Sequence, residues 1–271
     1  MELPSGKKIV CGTSGYDYPE WRGVFYPAEL PRGDFLAYYA RCFPALEVNF
    51  TFYQMPTEEH IRSMMNRSGG KMLFAVKAPR LLTHDAGPGW NTDAAEFRSA
   101  LHPLFNGGVL SAVLFQFPQR FHYEVNNRIY LNNLLAQFTG YPSVVEFRHS
   151  SWFTERVYDG LDKRGAGIVL CDMPRISALP PLVPVVTGGR AYIRFHGRNA
   201  ADWYAQSADG SPKTNGSRRY DYTYSEKELA AEVPFIETLA AKAEITHVFF
   251  NNHPDGAAAV NAEQMQKLTS S

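Results

Sequence analysis

The chain alternates short apolar runs with longer amphipathic stretches from one end to the other, and this alternation limits it to a few folds. Eight runs rich in Val, Ile, Phe and Leu predict β-strands, and most are near-continuous apolar runs, which is typical of parallel strands covered on both faces. The predicted strands are residues 8–12, 45–50, 71–77, 109–115, 143–148, 167–172, 190–196 and 247–251. Helical patterns lie between and after them at residues 33–42, 57–66, 93–105, 126–138, 154–164, 225–243 and 257–268.

Strand–helix alternation that repeats through a chain implies parallel βαβ units with right-handed crossovers. Eight strands favour closure into a (β/α)8 barrel of the TIM type over an open doubly wound sheet, and 271 residues suit one such domain. The sequence contains no GxGxxG or P-loop motif that would favour the open sheet. We therefore predict an α/β protein with a single domain over residues 1–271. The barrel is expected to be irregular between strands 6 and 7, because residues 173–189 contain four prolines.

Three of the predicted helices have recognisable start signals. Asp93 with Glu96, and Ser225 with Glu228, each fit a capping box, in which two side chains satisfy two orphan backbone donors. Thr57 precedes two glutamates, which suit the first turn of a helix because its dipole favours negative charge there.

The composition argues against several classes of partner. The chain has 27 basic residues (Lys and Arg) and 27 acidic residues (Asp and Glu), so its net charge is zero. A nucleic acid or a membrane surface is therefore not favoured as a partner, because such partners are held by a positive field. Cys11, Cys42 and Cys171 are scattered without a CxxC pair, which predicts reduced thiols. The first residues have no apolar core of a secretory signal, and no apolar run approaches the roughly 18 residues of a membrane span. We expect a cytoplasmic protein.

Three predicted strands end in charge, and this feature indicates where the protein acts. A charged side chain that points inward from a buried strand costs folding free energy unless it is paired or takes part in the function. Alternate residues of a barrel strand face the interior, so Glu47 and Asn49 share a phase, as do Glu146 and Arg148. Strand phase gathers seven charged side chains toward the C-terminal mouth of the barrel, the face where barrel enzymes build their sites: Glu47, Lys77, Glu146, Arg148, Asp172, Arg194 and His196.

These residue types predict a polar pocket for a small anionic or polyhydroxyl ligand, such as a sugar phosphate or a nucleotide fragment. Anion binding is assigned to Lys77, Arg148 and Arg194, since guanidinium groups can hold phosphate or carboxylate in bidentate fashion. Acid–base work is assigned to His196 and Glu146. Glu47 and Asp172 are expected to orient cations or hydroxyls, and the further ligand contacts are Asn49, Tyr53, His84, Gln116 and Asn252. An enzyme of this kind would be a hydrolase, a lyase or an isomerase.

Other interpretations stay open. The charges could form a paired network that serves only structure. Glu47 and Glu146 lie on nearly opposite strands, which argues against the roughly 5–5.5 Å of a retaining glycosidase and leaves an inverting geometry open. A divalent metal is not favoured, because cations interleave with the candidate ligands. A non-enzymatic nucleic-acid module would use the segment 198–224, whose aromatic residues alternate with arginine and suit base stacking.

Three residues near the strand ends receive structural interpretations. His149 has the phase opposite to Arg148 and is predicted to cap or support, and Trp152 is predicted to pack. Ser14 has no GxSxG elbow around it, so we do not expect a nucleophile there.

Short motifs that occur in a fixed order also resemble one known family. They are residues 12–16 (GTSGY), 47–53 (EVNFTFY), 74–77 (FAVK), 83–84 (TH), 116–118 (QFP), 146–148 (EFR), 151–152 (SW), 194–198 (RFHGR) and 250–252 (FNN). Together they resemble the YecE-like family, also called domain of unknown function 72, over nearly the whole chain. The resemblance implies a single-domain TIM barrel without an established reaction. Its members are similar in fold to metal-using sugar-isomerase and endonuclease barrels, which gives a metal-dependent isomerase or phosphodiesterase as an alternative by analogy.

Overall fold

The computed structural model describes residues 9–201, 203 and 218–270. Within these residues eight parallel strands form a sheet in the order β1-β8-β7-β6-β5-β4-β3-β2. The strands are β1 Ile9–Thr13, β2 Ala45–Val48, β3 Leu73–Lys77, β4 Leu110–Gln116, β5 Ser143–Glu146, β6 Gly167–Asp172, β7 Arg190–Phe195 and β8 Ile245–Phe250. This nearly closed barrel confirms the predicted (β/α)8 fold.

Helices follow every strand except β6 and cover the barrel. They are α1 Phe35–Cys42, α2 Glu58–Arg67, α3 Trp90–Ala100, α4 His102–Asn106, α5 Val125–Gln137, α6 Glu155–Asp162, α7 Glu226–Ala240 and α8 Ala257–Thr269. The single helix predicted over 93–105 is two helices, because Pro103 lacks a backbone N–H and suits only the first turn of a new helix. The irregular connection between β6 and β7 is confirmed. In the described part of the chain, none of the helices is long and apolar enough to cross a membrane.

Two of the three predicted helix starts are confirmed. The Thr57 hydroxyl accepts a hydrogen bond from a first-turn backbone N–H of α2 at 3.2 Å. Ser225 and Glu228 form the reciprocal capping box of α7. The capping box predicted at Asp93 is wrong, because α3 already begins at Trp90 and Asp93 lies inside its first turn.

Alternate residues of the strands pack in two different apolar layers. One side faces the helices, with Leu46, Val48, Phe74, Val76, Val113, Phe115, Val145, Phe147, Leu170, Ile193 and Phe195. The other side fills the lumen, with Val10, Ala45, Ala75, Ala112, Leu114, Val144, Val169, Cys171, Tyr192 and Phe249. Membership in the second layer therefore fixes which side chains at the strand ends point into the barrel.

The barrel closes between β1 and β2 without a regular ladder in the described residues. One bridge joins Ser14 to Glu47, next to a backbone hydrogen bond from Gly15 N to Glu47 O of 2.8 Å. The hydroxyl of Tyr39, on α1, accepts from the Thr13 backbone N–H at 2.8 Å and donates to the Ala45 carbonyl oxygen at 3.1 Å. A side chain thus completes the hydrogen bonding at this seam.

Candidate functional site

Arg194 lies at the centre of a buried ionic network in the lumen. Its Nη1 donates to Glu146 Oε2 at 2.6 Å, and its Nη2 donates to Glu47 Oε1 at 2.6 Å. These contacts join β7 to β5 and β2 across the barrel, so the predicted convergence of distant charges is present. We call the set of Glu47, Glu146, Arg148, Arg194 and His196 the inner network.

Two hydroxyl groups complete the hydrogen bonding of Glu47. Ser14 Oγ donates to Glu47 Oε1 at 2.6 Å, and the Tyr192 hydroxyl donates to Glu47 Oε2 at 2.7 Å. Sequence reasoning missed both contacts. The signal was present in the strand phase, because Ser14 continues the lumen-facing positions of Val10 and Gly12, and Tyr192 shares the phase of Arg194.

The other oxygen of Glu146 contacts the rest of the inner network. Arg148 Nε forms an ion pair with Glu146 Oε1, and His196 Nε2 lies 3.6 Å from the same oxygen. Both ring nitrogens of His196 are in contact: Nε2 with Arg148 Nη2 at 3.2 Å, and Nδ1 with Asn251 Nδ2 at 3.0 Å. His196 therefore lies between Arg148 and Asn251, with a contact at each ring nitrogen.

Electrostatics fix the protonation of two members of this network. Burial by itself raises the pKa of Glu146, but Arg148 and Arg194 outweigh it and hold the pKa well below the usual value. Burial, reinforced by the same two arginines, lowers the pKa of His196 well below its usual value. At neutral pH Glu146 is ionised and His196 is neutral. The acid–base roles expected of the pair stay a prediction.

Lys77 is the cation of this region that lacks a carboxylate partner among the described residues. It is half-buried at the end of β3, and its Nζ lies 4.1 Å from the centroid of the Phe52 ring, over its face. Burial and the charge of Arg194 lower the pKa of Lys77 to about 7.

The other predicted ligand contacts surround Lys77 or lie near the same end of the barrel. His84 packs edge-on against Phe52 at 4.9 Å, and burial and Lys77 lower its pKa to about 4. Asn49 Oδ1 is buried without a hydrogen-bond partner, and Tyr53 is 80% exposed. Gln116 ends β4 in the lumen phase and donates to the Phe117 carbonyl oxygen at 3.1 Å.

Asp172 faces the helices, so its predicted orientation into the lumen is wrong. The lumen-facing residues of β6 are Val169 and Cys171, while Leu170 belongs to the opposite layer. Both faces of β6 are apolar until its last residue, so the sequence pattern did not fix its phase. Asp172 instead accepts from Arg198 Nε at 2.9 Å.

Arg198 extends this contact to α7. Its Nη2 donates to Glu232 at 2.6 Å, and its Nη1 lies 3.6 Å from Glu228. We call Asp172, Arg198, Glu228 and Glu232 the outer network. These ion pairs hold the chain segment that follows β7 against α7.

Asn252 also points away from the lumen, which corrects its predicted placement beside the ligand. Its Nδ2 donates to the Tyr222 carbonyl oxygen at 2.8 Å and to Asn261 Oδ1, on α8, at 2.9 Å. The preceding residue, Asn251, is the one that contacts the inner network through His196.

The interpretations of His149 and Trp152 are confirmed. His149 is the N-cap of a short 3-10 helix, and its ring accepts from the Ser151 backbone N–H at 3.2 Å. Trp152 is buried and stacks on Phe147 at 4.3 Å.

Parts of the segment 198–224 cover one side of the barrel mouth. Trp203 is buried in the lumen layer with Met173 and Leu179, beyond the end of β6. The Tyr220 ring lies 5.7 Å from the ring of His196. Residues 202 and 204–217, including the predicted stacking residue Tyr204, lie outside the described residues. Trp203 and Tyr220 cover the β6–β7 side, and the partly exposed lumen cations of the described residues are Lys77, on the β3 side, and Arg148, after β5.

In the described ranges, one group offers three closely spaced metal-ligand atoms: Glu146, Cys171 and His196, within 4.8 Å of one another. Its chemistry fits a cation poorly. Both oxygens of Glu146 contact guanidinium groups, and burial raises the pKa of the Cys171 thiol well above its usual value.

A separate groove of about 400 Å³ lies between α5 and α6, outside the barrel. Leu131, Leu135 and Val157 contribute apolar lining, and Arg128 and Arg164 contribute charge. None of the inner-network residues lines it, so we place the candidate site at the mouth.

Known relatives identify the family. The model of the family described as protein of unknown function DUF72 matches residues 10–271. The chain belongs to the DUF72 family. The UPF0759 protein YunF of Bacillus subtilis (strain 168) is 29% identical over 254 residues, which are 90% of this chain and 89% of that protein.

Solved DUF72 structures share the barrel. A DUF72 family protein from Thermotoga maritima MSB8 is 34% identical with a TM-score of 0.86, covering 97% of this chain and 100% of its own. One from Enterococcus faecalis V583 is 25% identical with a TM-score of 0.83, covering 97% and 96%. The resemblance predicted from the sequence motifs is confirmed.

Proposed function

We propose that this DUF72 barrel binds a small anionic, polyhydroxyl ligand of the sugar-phosphate or nucleotide type at the β3 side of its mouth. The observation that carries the proposal is the unpaired ammonium of Lys77. The lumen holds three cations, Lys77, Arg148 and Arg194, against two carboxylates, Glu47 and Glu146, and both carboxylates are engaged by the arginines. An anion would supply the missing negative charge.

The ligand contacts divide by accessibility. Arg148, whose side chain is 11% exposed, offers a guanidinium whose charge acts on Lys77. Arg194 uses both terminal nitrogens within the inner network, so we assign it to holding Glu47 and Glu146 in place. Asn49 offers a buried oxygen without a partner as an acceptor for a ligand hydroxyl.

Titration calorimetry with ribose 5-phosphate tests this function. Lys77→Met and Arg148→Met should each weaken binding at least about tenfold, since each removes a charge-assisted contact. Lys71→Met is the matched control, because Lys71 precedes the same strand and is exposed, and it should bind like the wild type. Equal affinities of the wild type and Lys77→Met would refute the site.

A further inference from the structure

Lys77 differs from the other lysines of the described chain in its surroundings. The others are exposed: Lys71, Lys163, Lys227, Lys242 and Lys267. Lys77 is half-buried, its Nζ lies over Phe52, and no described carboxylate pairs with it. Its amine is therefore both sheltered and available at the mouth of the barrel.

The field around Lys77 favours the neutral amine. Burial and Arg194 lower the pKa of Lys77 to about 7, against the opposing influence of Glu146 and Glu47. At pH 7 about half of the Lys77 side chains then carry a lone pair on Nζ, whereas an ordinary lysine with a pKa of about 10.4 has almost none.

We propose that the Lys77 amine forms a Schiff base with a small carbonyl compound that also carries a carboxylate or a phosphate. The inference rests on the proposed function, because Arg148 supplies the contact for the anionic group. Lysine amines that are desolvated or next to another cation are activated for attack on carbonyl carbon.

The step balances without a co-reactant. The neutral amine attacks the carbonyl carbon, so a C–N bond forms as the C=O bond opens to a carbinolamine. The carbonyl oxygen then leaves as water. Counted from the ammonium form, two protons pass from nitrogen to that oxygen, and the positive charge remains on nitrogen as an iminium. The surplus cation of the lumen is therefore preserved.

The residues beside Lys77 suit this step. The iminium retains the charge that now lies over the Phe52 face. His84 packs on the edge of the same ring, with its Nδ1 2.9 Å from the Thr83 hydroxyl. With a pKa of about 4, His84 is a neutral imidazole near pH 7 and adds no further positive charge to the surroundings of the Lys77 amine.

Reductive trapping tests the proposal. The full chain is incubated near pH 7 with glyoxylate, pyruvate or dihydroxyacetone phosphate together with sodium cyanoborohydride, and peptide mapping by mass spectrometry locates the adduct. Acetone is the uncharged comparison. We expect one adduct per chain, at Lys77, formed at least about tenfold faster than at Lys71 and faster with the anionic carbonyls than with acetone. Labelling spread over the exposed lysines would overturn the proposal.

Variants separate this chemistry from anion binding. Lys77→Arg keeps the cation without a reactive amine, so it should lose the adduct while still binding ribose 5-phosphate. Lys77→Met should lose the adduct and also weaken ribose 5-phosphate binding at least about tenfold, whereas Lys71→Arg should leave both unchanged. If wild-type protein binds ribose 5-phosphate but no carbonyl compound is trapped at Lys77, the Schiff base is refuted and the anion site stands. If ribose 5-phosphate does not bind, the proposed function itself fails.

The pH profile gives a second readout. The charged and titratable groups acting on this amine are Arg194, Glu146, Glu47, Arg148 and His84. We expect the trapping rate at Lys77 to rise from about pH 6 and level off above about pH 8, whereas the rate at Lys71 rises toward the ordinary lysine pKa of about 10.4. Parallel profiles for the two lysines would contradict an activated amine.

Discussion

The inner network lies in the lumen of the barrel and the outer network lies on the side of the helices, and both pair carboxylates with arginine in different surroundings. In the inner network the side chains of Glu47 and Glu146 are fully buried and that of Arg194 is 2% exposed. In the outer network Arg198 is 31% exposed. Charge at the end of a strand therefore does not identify a ligand site by itself. A ligand site is indicated only when the charged side chain points into the lumen and its charge is left unpaired.

The two networks also respond oppositely to protonation. The pKa of Glu146 is held well below its usual value, because two arginines outweigh the effect of burial. The pKa of Asp172 is raised, because burial outweighs the Tyr224 hydroxyl and Arg198. Ionisation of Glu146 thus stabilises the fold, whereas ionisation of Asp172 opposes it.

The largest expected effect is that of Glu146→Gln. Removing this carboxylate leaves Arg194 and Arg148 with less compensation in the lumen, and breaking a buried pair of this kind costs about 3–5 kcal/mol. Urea unfolding at neutral pH measures the loss of unfolding free energy. A loss below about 1 kcal/mol would mean that the inner network stabilises the fold no more than an exposed ion pair does.

A pH scan should sharpen this result. With a folded pKa well below the reference value of 4.5, Glu146 contributes its full stabilisation above pH 4.5 and loses it as the pH falls through the folded pKa. The gap in unfolding free energy between wild type and Glu146→Gln should therefore be constant from pH 7 to about pH 5 and narrow below it. If this difference in unfolding free energy stays constant down to the pH of acid unfolding, the stabilisation by Glu146 is not electrostatic.

Asn252→Ala tests the helix side of the strand ends. The change removes two hydrogen bonds and leaves the buried Asn261 side chain short of a donor, which costs about 1–3 kcal/mol. Ribose 5-phosphate affinity should stay that of the wild type, because Asn252 points away from the lumen. If the folded variant binds ribose 5-phosphate more weakly than the wild type, Asn252 contacts the ligand after all.

Sulfate binding tests the unpaired cation. Sulfate keeps its charge across the neutral range, so any pH dependence comes from the protein. Since the pKa of Lys77 is about 7, sulfate affinity should fall about tenfold from pH 6 to pH 9. Lys77→Arg should remove the pH dependence, because arginine stays charged. An identical decline in both proteins would assign the effect to another group.

The smallest effect is expected for Asp172→Asn. Its charge is disfavoured by burial, and the amide still accepts from Arg198, so unfolding free energy should change by less than about 1 kcal/mol at neutral pH. Arg32→Met, in the exposed pair with Asp17, sets the scale of a surface contact. A loss for Asp172→Asn that matches that of Glu146→Gln would erase the difference between the two networks.

The sequence predicted the barrel and the main lumen charges because the signals were redundant. In β2, β5 and β7 the charged residues alternate with Val, Ile or Phe, so each pattern fixes both the strand and its phase. The lumen positions of Glu47, Glu146, Arg148, Arg194 and His196 followed from this alternation.

The orientation of Asp172 and Asn252 and the unpaired state of Lys77 could not be predicted from the sequence. In β6 the adjacent Cys171 and Asp172 follow apolar residues on both faces, and Asn251 and Asn252 are chemically identical neighbours. A shift of one position reverses the face, so neither pattern decides the orientation. That Lys77 is left unpaired depends on distances between strands far apart in sequence, which composition does not encode.

The β1–β2 seam has a consequence for the order of assembly. Strand β1 forms its regular ladder with β8, which is far away in sequence, and meets β2 through one bridge and the Tyr39 hydroxyl. Because long-range pairing is slow to form, β1 takes its final place only when β8 is available to pair with it. Ser14, which hydrogen-bonds Glu47 and continues from β1, is positioned by the same step, so the polar centre is completed only when β1 and β8 pair.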